Sequence, residues 1–106
     1  MKREETIKDQ TIFNNIIRNG KFKKNDYFVL YSSTKDEEKI NYGIAIGKKV
    51  GNAVTRNKLK RQTRAIIDNN RKLFENYHNY IIMIRKSCSY SKYNELEKAL
   101  VDLLKK

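Results

Sequence analysis

Residues 47–70, GKKVGNAVTRNKLKRQTRAIIDNN, constrain the fold more than any other part of the chain. Placed on a helix at about 100° per residue, they separate into two faces. Arg56, Lys60 and Arg64 stack one above another, with Asn57 and Arg61 in the adjoining row. Leu59, Thr63 and Ile66 fall opposite, with Ile67 at the edge. One face can pack on a core, while the other presents cations about 5–6 Å apart. Like charges that close repel, and an extended polyanion lying along the helix relieves them. Asn57 adds a donor and an acceptor that can reach a sugar, a base edge or a phosphate. The spacing predicts a helix from Asn52 or Ala53 to about Asn69 with one face suited to a nucleic acid. Lys48 and Lys49 extend the patch toward its N-terminus, where free backbone N–H groups favour a phosphate.

The flanking segments predict what this helix packs on. Residues 27–32, YFVLYS, read as a strand with Phe28 and Leu30 on one face and Tyr27, Val29 and Tyr31 on the other. In residues 40–47, Ile40, Tyr42, Ile44 and Ile46 alternate with Asn41, Gly43, Ala45 and Gly47. The large face is expected in the core, and the small face lets something approach the sheet closely. These two strands are expected to form an antiparallel hairpin. After the basic helix, Tyr80 opens YIIMI, a continuous apolar run that suggests a central strand covered on both sides. Strand, helix and strand in succession suggest a βαβ unit with parallel pairing.

Both ends add a helix. Ile12, Phe13, Ile16 and Ile17 recur at helical spacing, with Asp9 as N-cap and Gly20 as a C′ stop. Phe22 falls in a short strand. Tyr93, Leu96, Leu100, Leu103 and Leu104 mark one face of a final helix, with Ser91 as its N-cap. The order is αβββαβα, an α+β sandwich of helices on one sheet.

At 106 residues the chain is expected to be a single RNA-binding domain, 1–106. Lys and Arg number 24 against 12 Asp and Glu, a formal charge of +12 that calls for an anionic partner. A membrane-surface helix would carry Trp, Phe or a broad Leu face opposite its charges, whereas this one has threonines and a glutamine. No apolar run approaches the roughly 20 residues of a membrane span, and MKREETIKDQ lacks the apolar segment of a secretory signal. A cytoplasmic protein is expected. Cys88, the one cysteine, excludes an internal disulfide and a cysteine-based zinc site. His78 is the one histidine, and nothing in the sequence places it beside Cys88.

Lys48-Lys49-Val50-Gly51-Asn52-Ala53-Val54, followed by Arg56-Asn57, Lys60-Arg61 and Arg64, closely resembles the signature of the bacterial ribonuclease P protein subunit. Lys58 stands where that family commonly has Arg, which keeps the charge but loses the planar fork. The first helix, Phe28-Val29-Leu30-Tyr31, Gly43, Tyr80-Ile81-Ile82 followed by Arg85-Lys86, and the last helix all fall in the family's order.

The resemblance implies a mixed four-stranded sheet, similar to the second domain of a small-subunit ribosomal protein, with an unusual left-handed βαβ crossover. It also implies a partner for a large catalytic RNA that removes the 5′ leader from precursor tRNA. Chemistry would belong to the RNA and its Mg²⁺ ions, with no catalytic residue or metal ligand in the protein and no protein partner required. By position, Lys48, Lys49, Asn52, Arg56, Asn57, Lys58, Lys60, Arg61 and Arg64 would contact the RNA subunit. Phe13, Ile17 and Tyr31 would line a cleft for the single-stranded leader. Ile17 replaces an aromatic seen in some relatives and can pack against a base without stacking as a ring does.

Two other readings compete. A small ribosomal-type RNA-binding protein without a processing role fits the charge, size and fold equally well. A protein-only nuclease would need clustered carboxylates for metal ions, and Asp36, Glu37 and Glu38 fall in a polar turn.

Overall fold

In the computed structural model, residues 3–106 are described. Asp9 opens helix α1 (Gln10–Asn19), its carboxylate accepting from the N–H of Thr11 at 2.8 Å and of Ile12 at 3.4 Å. The helix stops at Gly20 for a reason other than a left-handed C′ residue. Gly20 has φ −75° and ψ 164°, ordinary extended backbone. Its missing side chain is what matters, since a Cβ there would stand 2.5 Å from the Ile16 carbonyl oxygen and 2.8 Å from that of Ser32. Glycine lets the chain turn against the sheet at that point.

Strands β1 (Lys21–Lys24), β2 (Phe28–Thr34) and β3 (Ile40–Ile46) precede helix α2 (Ala53–Asn69), and β4 (His78–Ile84) and helix α3 (Tyr93–Lys105) follow. This is the αβββαβα order with one mixed four-stranded sheet, in the sequence β1-β2-β4-β3. The β2–β3 hairpin expected from sequence does not form. Strand β4 lies between them, antiparallel to β2 and parallel to β3. Its apolar run explains the position: Ile81 and Ile82 point to opposite faces and both are fully buried, which only a central strand allows. The parallel β3–α2–β4 crossover is the one expected from the strand–helix–strand succession.

The two faces of the sheet differ. On one, Phe28, Leu30, Tyr42, Tyr80, Ile82 and Ile84 form the main core with Leu59, Ile66 and Ile67 of α2 and Leu96, Leu100 and Leu103 of α3. On β3 only Tyr42 of the large face is fully buried; Ile40, Ile44 and Ile46 are half-covered because β3 is an edge strand. The other face carries α1, which packs on β2 and β4. Helix α3 begins after Lys92, one residue later than expected. The Ser91 hydroxyl is already donating to the Ser87 carbonyl at 3.0 Å, and Glu95 reaches back to accept from the Lys92 N–H at 3.1 Å. Among the described residues, no helix is long and apolar enough to cross a membrane.

Candidate nucleic-acid interface

Helix α2 starts where the sequence places it. Asn52 is the N-cap, its side-chain oxygen accepting from the Thr55 N–H at 2.9 Å. That oxygen is engaged with the helix, and the amide N–H₂ of Asn52 offers its two donors to a partner. Gly51 brings the preceding turn against the helix, since a Cβ there would stand 2.9 Å from Thr55 Cγ2. Before it, residues Lys48–Val50 form a 3₁₀ turn held by buried Val50, which leaves Lys48 and Lys49 exposed.

The two-faced reading of α2 holds. Leu59, Thr63, Ile66 and Ile67 are buried, and the Thr63 hydroxyl is satisfied by the Leu59 carbonyl at 2.8 Å. Asn57, Lys58, Arg61 and Arg64 are exposed, while Arg56 and Lys60 are half-buried along their stems. No ion pair forms to any of these cations among the described residues; the helix's one acidic residue, Asp68, pairs with Arg71 at 3.6 Å. A row of cations without internal neutralisation is open to an external polyanion.

The second region is the sheet face beside α1. Cross-strand register aligns Phe22 of β1, Tyr31 of β2, Ile81 of β4 and Gly43 of β3 in one row. Phe13 lies over the far end of that row, its ring against Gly43. Phe13, Ile17 and Tyr31 are each half-buried and share this face, while neighbouring Ile16 is the residue α1 buries fully. The next row holds Lys24, Val29, Met83 and Ala45, and of the three cleft residues expected from sequence only Tyr31 borders the space over it. Here a groove of about 480 Å³ opens, floored by Val29, Tyr31 and Met83 and edged by Phe22. Lys24, Lys49, Arg85 and Lys86 rim it. Lys49 belongs to the turn that enters α2, so groove and basic helix meet at that turn.

Phe22, Lys24, Val29, Met83, Arg85 and Lys86 thus join the candidate site although their roles were not expected from sequence. The available signal was the period of two in β1, which puts Phe22 and Lys24 on one side; using it requires knowing that β1 pairs with β2.

The remaining reactive groups stand apart. Cys88 is buried, its thiol donating to the Tyr27 carbonyl at 3.1 Å, and burial pushes its pKa up to about 11. His78 opens β4 while Cys88 lies past the other end, about 20 Å away at ~3.3 Å per residue. His78 instead stacks on Tyr80 with centroids 5.7 Å apart. Among the described residues, no three His, Cys, Asp or Glu side chains come together as metal ligands.

Comparison with known proteins follows the same lines. The family described as Ribonuclease P matches residues 1–106. The ribonuclease P protein component of Mycoplasma mycoides subsp. mycoides is 42% identical over 106 residues, covering 99% of this chain and 97% of its own length. An RNase P protein mutant of Staphylococcus aureus with defective mRNA degradation activity superposes with a TM-score of 0.90 at 28% identity, covering 97% of this chain and 87% of that one. The RNase P protein of Thermotoga maritima gives 0.86 at 28% identity over 95% and 96%.

Proposed function

The chain belongs to the ribonuclease P protein family and is the protein subunit of that enzyme, associated with ribonuclease P RNA; we propose that it grips two different stretches of RNA through two joined surfaces. The exposed face of α2, with Arg56, Asn57, Lys58, Lys60, Arg61 and Arg64, lies on the RNA subunit. Lys48, Lys49 and the Asn52 amide hold phosphates at its approach. The sheet face that runs from Phe13 and Ile17 of α1 past Tyr31 into the groove takes the single-stranded 5′ leader of precursor tRNA. The chemistry of leader removal belongs to the RNA subunit and the Mg²⁺ ions it uses, and the complex works in the cytoplasm.

The observation that carries this reading is continuity: an apolar, aromatic groove rimmed by cations meets, at Lys49, a helix face of arginines and lysines that make no ion pair among the described residues. Flexible single strands are held by stacking together with cations, whereas a folded RNA is met by a rigid charged face. A generic ribosomal-type binder has use for the second surface only. The direct test is cleavage of a 5′-extended precursor tRNA at low Mg²⁺ by ribonuclease P RNA, with and without the protein, beside a protein-alone control. Cleavage at the mature 5′ end only when both are present supports the reading. Binding to the RNA without stimulation would leave the generic RNA-binder in its place.

A further inference from the structure

Strand β1, Lys-Phe-Lys-Lys, is exposed at all four positions and carries one apolar side chain, Phe22, which is 60% exposed. A single exposed apolar side chain needs no occupant by itself, but this ring stands at the edge of the groove, where a ligand lying in it would meet the ring. Three facts identify the ligand's chemistry. The Phe22 ring neighbours Tyr31, with centroids 6.0 Å apart and planes tilted by 42°, so the two rings step outward from the groove floor. Lys24, on the same side of β1, places a cation beside the ring at the groove rim. Lys21 and Lys23 flank it in sequence, and the chain carries +12, so a second copy pairing edge to edge meets strong repulsion. The occupant that satisfies both the open ring and the cations is a nucleobase joined to a phosphate.

We propose that Phe22 is a further base-stacking platform of the leader site, which carries the RNA track past Tyr31 across β1, with Lys24 on the adjoining phosphate. The proposal rests on the groove being the leader site.

The test uses the holoenzyme reconstituted with ribonuclease P RNA, and measures affinity for precursor tRNAs whose leaders are shortened one nucleotide at a time, with mature tRNA as reference. Tyr31→Ala reports on the groove itself. Phe22→Ala should lower affinity for long-leader precursor by about 5- to 150-fold, the range for one lost stacked base, and leave mature tRNA unchanged. The loss should vanish once the leader is too short to reach β1. Phe22→Trp should restore affinity and Phe22→Leu should not, and because the side chain is mostly exposed, all three variants should melt near the wild type. If Phe22→Ala matches wild type at every leader length while Tyr31→Ala loses leader dependence, the Phe22 platform is wrong and the groove reading stands. Full affinity in Phe22→Leu would show an apolar cover instead of a stacking site. No effect from either Tyr31→Ala or Phe22→Ala would overturn the groove reading and the proposal with it.

Discussion

The ring of Phe13 lies directly on Gly43: a Cβ at that glycine would come within 2.8 Å of Phe13 Cε2 and 3.2 Å of Cδ2. The small face of β3 therefore has a definite occupant, and the height of α1 above the sheet is set by a missing side chain. Gly43→Val should lift Phe13 off the strand. We expect a cost of about 1–3 kcal/mol from overpacking, with a parallel loss of preference for leader-bearing over mature tRNA. Thermal denaturation and paired binding titrations check both parts.

Phe13→Ala should weaken binding of leader-bearing precursor more than of mature tRNA, because one lost stacking surface costs ~1–3 kcal/mol. Equal losses for the two RNAs would show that Phe13 serves only to pack α1.

On α2, Arg61 and Arg64 are exposed and make no ion pair among the described residues. Replacing either with Ala should leave the melting temperature nearly unchanged, since exposed charges contribute little to folding. Binding to the RNA subunit should weaken and become less sensitive to salt. If about five phosphates are neutralised, log K for the wild type should fall against log salt with a slope of roughly −3.5 to −4.5. Each substitution should flatten it by about 0.7–0.9. A flat response in the wild type would contradict the charged-face reading.

Leu59 stands on the opposite side of the same helix and is 4% exposed. Leu59→Ala should cost ~2–5 kcal/mol in urea unfolding, while molecules that remain folded bind RNA as before. The two faces of α2 would then be separated by experiment as they are by geometry.

Stability should decline in alkali. Burial raises Cys88 from 9.0 to about 11 and Tyr42, whose hydroxyl has no hydrogen-bond partner among the described residues, from 10.0 to about 12. Both groups are neutral when protonated, and both hold the proton more tightly folded than unfolded. Their contribution is complete below the unfolded values and is lost as pH rises through the folded ones, from about 9 to about 12. Unfolding free energies at stepped pH should show the decline, and Cys88→Ala should remove its lower part.

How much of this was legible beforehand differs by element. The limits of α2, its buried row and its basic row followed from spacing within one segment. So did Asp9 as a cap and the alternation in β2. A helix repeats its environment every three to four residues and a strand every two, so burial is written locally. The strand neighbours were not: β2 and β3 carry alternations that suit a hairpin equally well, and only β4, apolar on both faces, needed the centre and separated them. Ser91 and Gly20 show the same limit at single residues. One hydroxyl was taken by a nearer carbonyl, and one glycine answers to the Ser32 backbone across the sheet.

The sequence by itself determined which face of each element is apolar, where the cations stand on α2, and which family the chain resembles. Only the tertiary structure decided that Phe22 stands beside Tyr31, that Phe13 covers Gly43, and that Lys49 joins the groove to α2. Those relations depend on strand order and register, and these are chosen by burying both faces of β4 at once, a condition that no segment meets alone.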